Sequence, residues 1–166
     1  MDRSFLIRPI QPSDNAAIAG IIRQSLEEFG AAKPGTVYFD PTTDHLYELF
    51  RDTPGSAYFI LEENGQVSGG AGIYPTEGLP AGTCELVKMY LRKSTRNKGL
   101  GRKMIAHCID TALTMGYNRI YLETMPELQK AVAVYERFGF QYLSGPMGQS
   151  GHTGCDIWML LSLQPA

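Results

Sequence analysis

The sequence lacks long apolar runs and is poor in cysteine, and both shortages exclude classes of protein. No apolar stretch approaches the roughly 20 residues that a helix needs to cross a bilayer, so no membrane partner is expected. Residues 1–10 lack the long apolar core of a secretory signal peptide, which predicts a cytoplasmic protein. The three cysteines, Cys84, Cys108 and Cys155, form no Cys-x-x-Cys pair and no Cys/His ligand spacing. They predict reduced thiols and no metal site.

A strong charge of one sign is also missing. The net charge is −2 over 166 residues, of which 43% are hydrophobic and 19% charged, as in an ordinary globular protein. This balance gives no general attraction to nucleic acid, so no nucleic-acid partner is expected. The length fits one domain, residues 1–166. Six of the fifteen basic residues lie within residues 92–103, where an anionic ligand is therefore expected: Arg92, Lys93, Arg96, Lys98, Arg102 and Lys103.

Apolar periodicity and turn residues predict the elements of the first half of the chain. Pro12-Ser13-Asp14 marks the start of a helix whose buried stripe is Ile18, Ile21, Ile22, Ser25, Leu26 and Phe29. A short helical stretch follows around residues 46–50. Asn64-Gly65 predicts a hairpin turn between two strands, and the glycines at 69, 70 and 72 predict a bulge in the second strand or a closely approaching neighbour. The predicted strands are Phe5–Arg8, Ala57–Leu61, Val67–Tyr74 and Cys84–Leu91.

The second half alternates helices with strands. A helix is predicted over Gly99–Met115, with Leu100, Met104, Cys108, Ala112 and Met115 on its apolar face. A strand follows over Asn118–Glu123. Pro126 fits the first turn of another helix, which ends at Gly139. Strands are predicted over Phe140–Leu143 and Asp156–Leu161, so the fold class is a mixed α/β sheet.

The turn between the strand Cys84–Leu91 and the next helix has the chemistry of a phosphate site. Gly99 and Gly101 allow the backbone to approach an anion, and the first helical turn offers free N–H groups along the helix dipole. The surrounding arginines and lysines add charge-assisted hydrogen bonds. A solvated basic turn is the alternative interpretation of the same residues.

Two other phosphate-binding families fit less well. A P-loop needs Ser or Thr after Gly-Lys, whereas Gly101 is followed by Arg102 and Lys103. A dinucleotide-binding turn needs a third glycine where Met104 stands, although Glu123 does end a strand about 20 residues downstream. A nicotinamide-dependent oxidoreductase therefore stays open only as a weaker alternative.

Two segments resemble the signature of the GNAT superfamily of acyl-CoA N-acyltransferases. Arg96, Gly99 and Gly101 match the family's Arg/Gln-x-x-Gly-x-Gly/Ala turn, and residues 131–140 look like its Ala-x-x-x-Tyr-Glu-Lys-x-Gly-Phe helix and strand. The opening Ile7-Arg8-Pro9 is similar to the family's first strand, so the resemblance covers nearly the whole chain. It implies a mostly antiparallel twisted sheet of six or seven strands, flanked by helices, with a cofactor cleft between the fourth and fifth strands.

The resemblance implies acetyl-CoA as co-substrate and assigns residues to it. Main-chain groups of Met89, Tyr90 and Leu91 would hold the pantetheine arm. Many relatives carry Asn where this chain has Leu128, and backbone groups near Thr124 are the expected replacement. The pyrophosphate would be wrapped by Arg96, Asn97, Lys98, Gly99, Leu100, Gly101 and Arg102.

Two residues are candidates for the chemistry of transfer. An alkyl ammonium with a pKa of about 10.4 is mostly protonated at pH 7, so a general base is useful. Glu85, six residues before Leu91, stands where many relatives carry a carboxylate, and strand alternation predicts that it shares a face with Val87, Met89 and Leu91. Tyr135 matches the family tyrosine that serves as acid toward the departing thiolate. An ion-paired Glu85 and a core Tyr135 are the structural alternatives.

The acceptor is expected to be a small primary amine. Four acids in the first helix and its following loop, Glu27, Glu28, Asp40 and Asp44, would attract a cation, and the glycine-rich segment 145–154 would form a lid. A protein N-acetyltransferase and a non-catalytic acyl-CoA-binding module remain alternatives. The sequence leaves a homodimer open and assigns no role to His45, His107 or His152.

Overall fold

The computed structural model describes residues 4–151 and 153–163, which form a seven-stranded sheet with helices on both faces. His152 lies outside the described residues. The strands are β1 (Phe5–Pro9), β2 (Ala57–Glu63), β3 (Gln66–Tyr74), β4 (Thr83–Leu91), β5 (Arg119–Thr124), β6 (Gln141–Leu143) and β7 (Ile157–Ser162). The α-helices are α1 (Asn15–Glu28), α2 (Leu46–Arg51), α3 (Leu100–Thr114) and α4 (Gln129–Phe138). The strand order is β1-β2-β3-β4-β5-β7-β6, and every pair is antiparallel except β4 with β5. The predicted fold class is confirmed.

Each face of the sheet carries its own apolar core. On one face, the side chains of α3 and α4 pack against strand residues such as Leu86 and Ile120. On the other face, the apolar stripe residues from Ile18 to Leu26 pack with α2 against residues such as Ile60. Phe29, also predicted on this stripe, follows the last residue of α1 and is only half-buried, because the helix ends before it. Among the described residues, no helix has the length and apolarity that crossing a membrane requires.

The sheet opens between β4 and β5. These two parallel strands pair only at Thr83 with Arg119, Cys84 with Ile120, and Glu85 with Tyr121. Beyond Glu85 the carboxyl-terminal halves of the two strands diverge, while β4 stays paired with β3 as far as Leu91. The predicted cleft between the fourth and fifth strands is therefore present, and Glu85 stands at its apex.

A bulge in β4 overturns the predicted alternation of its side chains. Lys88 adopts a left-handed backbone conformation with φ +51°, and the register with β3 shifts between Gly70 and Gly72. Cys84 and Leu86 lie in the core beneath α3, and after the bulge Met89 and Leu91 pack against that same core. Val87 and Tyr90 pack on the α1 side. Glu85 therefore shares its face with Val87 and not with Met89 or Leu91, because the extra residue of a bulge reverses the order of faces.

Several predicted boundaries differ from the observed ones for local reasons. Met115, predicted on the apolar stripe, follows the last residue of α3 and is 44% exposed, because the chain turns away at Gly116. Pro126 begins a short 3₁₀ turn, and α4 starts only at Gln129. Gly139 ends α4 with φ +96°, a conformation that glycine adopts without strain.

Candidate active site

A cavity of about 460 Å³ occupies the opening between β4 and β5. One wall is the end of β4, and the opposite wall is the end of β5 with α4. The start of α3 closes one end. The predicted site residues along it are Met89, Tyr90, Leu91, Arg96, Asn97, Gly99, Gly101, Arg102, Thr124 and Tyr135. The structure thus brings together most of the residues that the sequence assigned to the cofactor.

The start of α3 is built to receive an anion. Asn97 and Gly99 have left-handed backbones, with φ +65° and +76°, and they turn the chain sharply into the helix. Gly99 precedes the first helical residue and has no side chain that could cap the amides of the first turn. Those N–H groups have no partner within the helix, and the dipole makes their end positive. An anionic group is the ligand that such a helix end prefers.

Gly101 allows the close approach of α3 and β4. A Cβ atom at this position would lie 3.2 Å from Met89 Cε and 3.5 Å from Leu91 Cδ1. Both of these side chains line the cavity. A larger residue at 101 would therefore push the β4 wall into the space next to the helix end.

The side chain of Arg96 makes hydrogen bonds to α1 and to the end of β4. Its Nη1 lies 2.8 Å from Glu28 Oε2, its Nε donates to the Leu91 carbonyl at 3.0 Å, and its Nη2 donates to Ser25 Oγ at 3.0 Å. The guanidinium also lies over the Phe29 ring, 4.8 Å from its centroid. Arg96 thus ties α1 to the end of β4, and its own charge is already matched by Glu28.

Two predicted cofactor residues have side chains directed elsewhere. Lys98 lies 3.4 Å from Glu63 Oε1 in an ion pair. Leu100 is buried in the core beneath α3. Neither side chain lines the cavity, so any contact from these positions would come from the backbone of the turn.

Tyr135 is a buried residue of α4 whose side chain lines the cavity. Only 7% of the residue is exposed, and its ring meets Phe140 edge to face at 5.7 Å between centroids. Among the described residues, its hydroxyl makes no hydrogen bond. Burial raises the pKa of Tyr135 well above its ordinary value, because the charged form is desolvated. The phenol therefore keeps its proton and can donate it.

Glu85 is buried at the apex of the cleft. It is 3% exposed, and Thr76 Oγ1 donates to its Oε1 at 2.6 Å. The carboxylate lines a second cavity of about 50 Å³, which lies on the α1 side and is walled in part by Thr36, Val37 and Cys155. A carboxylate that lines a cavity of this size can contact a small cationic group directly.

The two cavities share a wall, so Glu85 and Tyr135 line adjoining spaces. Residues of β4 and β5 form most of this wall, which consists of Leu86, Lys88, Tyr90, Glu123, Thr124 and Leu128. The charged members, Lys88 and Glu123, were not among the predicted site residues. Lys88 could have been recognised from the sequence, because it is a charged residue between Val87 and Met89 in an otherwise apolar strand.

Glu123 and Tyr121 hold the part of the glycine-rich segment around Met147 and Ser150 against the sheet. Tyr121 Oη donates to Glu123 Oε2 at 2.6 Å, and Ser150 Oγ also donates to the Glu123 carboxylate. The Met147 amide donates to Tyr121 Oη at 3.0 Å. Further along, the Gly154 amide donates to the Gly35 carbonyl at 2.9 Å. The predicted lid is thus tied to β5 and to the loop after α1.

The four acids predicted to attract the acceptor are engaged elsewhere. Asp44 lies 2.5 Å from Arg23, Glu28 is paired with Arg96, and Glu27 accepts from the Tyr38 hydroxyl. Asp40 lies near Lys88, and none of the four lines either cavity. The carboxylates that do reach the cavities are Glu85 and Glu123. Within residues 4–151 and 153–163, no group of three or more His, Cys, Asp or Glu side chains could hold a metal ion.

Comparisons with known proteins agree with this architecture. Residues 23–140 match the model of the acetyltransferase (GNAT) family. The uncharacterized N-acetyltransferase YjgM of Escherichia coli (strain K12) is 40% identical over 162 residues, which are 97% of this chain and 96% of the relative. An uncharacterized N-acetyltransferase of Schizosaccharomyces pombe, C1271.07c, is 27% identical over 78% of each chain.

Solved structures show the same fold. A GNAT-family acetyltransferase from Staphylococcus aureus Mu50 superposes with a TM-score of 0.84 at 18% identity, over 97% of this chain and 100% of that chain. The putative acetyltransferase yncA from Salmonella typhimurium, solved with its cofactor acetyl-CoA, gives a TM-score of 0.75 at 24% identity, over 98% and 96% of the two chains. On the match to the family model and the similarity to the E. coli relative, this chain belongs to the acetyltransferase (GNAT) family.

Proposed function

We propose that this protein is an N-acetyltransferase that moves the acetyl group of acetyl-CoA directly to a small primary amine in a ternary complex. The observation that carries the proposal is the opening of the sheet beyond Glu85. The opening brings a helix end suited to an anion and a phenol together on one cavity, and a buried carboxylate lines the adjoining one.

The residues present fit acetyl-CoA. The first-turn amides of α3, from Leu100 to Arg102, would receive the pyrophosphate, with Arg102 adding charge. The cavity-lining stretch from Met89 to Leu91 would offer main-chain groups to the pantetheine arm, with backbone near Thr124 on the opposite wall. When bound, acetyl-CoA supplies a thioester whose acetyl group an amine can accept. This use of the cleft agrees with membership of a family in which a relative has been solved with acetyl-CoA.

Glu85 is proposed as the base that takes the proton of the acceptor ammonium. The deprotonation of an amine with a pKa near 10.4 costs about 4–5 kcal/mol at pH 7. A buried carboxylate at the apex of the cleft can hold the ammonium and remove its proton as the nitrogen attacks. The Thr76 hydroxyl fixes Glu85 Oε1, so one carboxylate oxygen has a defined direction.

Tyr135 is proposed as the acid that stabilises the departing thiolate. Its raised pKa keeps the hydroxyl protonated at neutral pH, and the hydroxyl has no competing hydrogen bond among the described residues. A donor in a water-poor cleft stabilises developing negative charge more strongly than it would in bulk water. Glu85 would then accept a proton from the acceptor in the small cavity, and Tyr135 would donate a proton to the thiolate in the large one.

A small acceptor suits the size and charge of the second cavity. It measures about 50 Å³, and Glu85 and Glu123 both line it. Two carboxylates favour a cationic amine over a neutral one. The space would admit the reacting end of a small molecule more readily than a folded protein surface.

A screen of acetyl-CoA thiol release against a panel of free amines, with mass spectrometry of the products, tests the proposal. We expect stoichiometric thiol and N-acetylated product with at least one small amine, and a loss of product in Glu85→Gln. Binding of acetyl-CoA without any product on free amines or on proteins would instead identify a non-catalytic acyl-CoA-binding module. Acetylation of intact proteins alone would overturn the small acceptor.

A further inference from the structure

Lys88 is a buried cation that the proposed chemistry does not use. Its side chain is only 6% exposed, and its Nζ lies 3.9 Å from Asp40 Oδ2. That separation exceeds a hydrogen bond, and among the described residues the ammonium has no closer partner. The ammonium therefore has three N–H donors, one carboxylate beyond hydrogen-bond distance and two cavities beside it.

Such an ammonium depends on what enters the cavities that Lys88 lines. A charge that has lost part of its hydration gains when a ligand supplies hydrogen-bond acceptors of opposite charge. Burial lowers the pKa of Lys88, while the nearby Asp40 and Glu85 carboxylates oppose this shift. The bulge that places Lys88 at φ +51° adds backbone strain, because a residue with a Cβ rarely adopts this conformation. Strain and desolvation in one residue, on the wall shared by both cavities, point to a role in binding.

The ligand group that pairs with the Lys88 ammonium should be an anion, and it should belong to the acceptor rather than to acetyl-CoA. The proposed pyrophosphate site begins beyond Leu91, three residues further along β4, which is about 10 Å of strand. The acetyl thioester is neutral. The Asp40 and Glu85 carboxylates near Lys88 belong to the protein itself. The acceptor is thus the remaining source of a bound anion.

We propose that Lys88 binds a carboxylate on the acceptor, so that the substrate of this enzyme is an amino acid. The inference rests on the proposed acetyltransferase function and names its substrate class. Glu85 and Lys88 are three residues apart in β4 and line the same small cavity. The carboxylate at the apex takes the ammonium, and the lysine takes the acid group of the same molecule. Transfer forms the amide C–N bond and breaks the thioester C–S bond. The ammonium nitrogen loses two protons: Glu85 accepts one and passes it to solvent, and the other restores Tyr135 after its phenol has protonated the departing thiolate.

The test compares each free amino acid with the amine that lacks only its carboxylate, such as alanine with ethylamine and phenylalanine with phenethylamine. Rates are expressed per concentration of neutral amine, which removes the difference in amine pKa between the paired substrates. A hydrogen-bonded charge pair predicts that wild-type kcat/KM favours the amino acid by roughly tenfold to a hundredfold. Lys88→Met should abolish this preference, which is measured as the ratio of the two kcat/KM values within each enzyme and so does not depend on the overall rate.

Two controls separate a binding role from a structural one. Lys33→Met removes an exposed lysine that pairs with Glu127 and lines neither cavity, so it should keep the wild-type preference. Lys88→Arg retains the charge and should keep part of the preference. If Lys88→Met does not fold, the paired substrates on the wild-type enzyme still decide the question.

Equal activity of wild type on amino acids and plain amines would overturn the role of Lys88 and leave the acetyltransferase intact. A Lys88→Met enzyme that still prefers amino acids would overturn it as well. An acetyl group found on Lys88 itself after incubation with acetyl-CoA would make the lysine an acceptor and not a binding residue. If the protein neither binds acetyl-CoA nor acetylates any amine, the proposed acetyltransferase function itself is refuted.

Discussion

Replacement of Gly101 by valine should weaken the binding of acetyl-CoA severely while the protein still folds. The first added carbon would lie 3.2 Å from Met89 Cε and 3.5 Å from Leu91 Cδ1, and two further methyl groups extend beyond it. Met89 is flexible at that end, so the fold can adjust by moving it. The adjustment takes place in the wall of the cleft, next to the amides that would hold the pyrophosphate.

The expected loss follows from the hydrogen bonds at stake. A hydrogen bond to a charged group contributes about 1.5–3 kcal/mol, so losing two would cost about 3–6 kcal/mol. That corresponds to roughly a 10²–10⁴-fold weaker Kd for acetyl-CoA. Isothermal titration calorimetry measures it, and thermal unfolding reports separately whether the variant is folded.

Gly20→Val is the matched control for this substitution. Gly20 is also a helical glycine, but a Cβ there would meet nothing within 4 Å. We expect wild-type affinity for acetyl-CoA in Gly20→Val and a severe loss in Gly101→Val, with both proteins folded. A folded Gly101→Val protein with wild-type affinity would refute the assignment of the α3 turn to the cofactor.

Three further predictions concern catalysis and stability. Tyr135→Phe should lower kcat by roughly 10²–10⁴-fold with little change in acetyl-CoA affinity, and wild-type turnover under chemistry-limited conditions would leave the residue as core packing. Glu85→Gln should lower activity at neutral pH and move the optimum upward, toward pH values where more amine is already neutral; an unchanged pH profile would argue against a base at this position. Asp14→Asn should lower the free energy of unfolding by about 2–4 kcal/mol at pH 7. The buried Asp14 carboxylate accepts two hydrogen bonds from Arg8, at 2.8 and 2.9 Å, and one from the Gln11 amide at 2.7 Å. Burial raises the pKa of Asp14, but these hydrogen bonds lower it further, so the folded-state pKa lies below the unfolded value of about 3.9. The ionised Asp14 therefore makes its full contribution to the free energy of unfolding above that unfolded pKa, and the contribution is lost as the pH falls through the folded-state pKa. The stability gap between wild type and Asp14→Asn, measured by urea unfolding, should therefore narrow in acid; a constant gap would contradict this reasoning.

The order of elements and the phosphate-binding turn could be predicted from local patterns. The stripe of α1 from Ile18 to Leu26 is buried as its spacing indicates, and the Asn64-Gly65 turn does join two antiparallel strands. Gly99 has the left-handed backbone that its residue type suggests. These features depend on neighbours in sequence, which periodicity and turn chemistry describe well.

The bulge and the charge network could not be predicted in the same way. Strand alternation assigns Glu85 and Met89 to one face, and only the pairing with β3 reveals the extra residue at Lys88. Glu28 looked free to attract an amine, yet Arg96 lies against it from 68 positions away. Such long-range pairs are set by tertiary packing, and the local sequence contains no signal for them.

Hydrogen–deuterium exchange with and without acetyl-CoA tests the central claim most directly, because it locates the ligand in the folded protein. We predict that acetyl-CoA slows exchange in peptides that cover residues 89–103 and the facing wall around Thr124 to Tyr135. Peptides of α2 and of the β2–β3 hairpin should not change. Unaltered exchange over residues 89–103 at saturating acetyl-CoA, or protection confined to another part of the chain, would contradict the account.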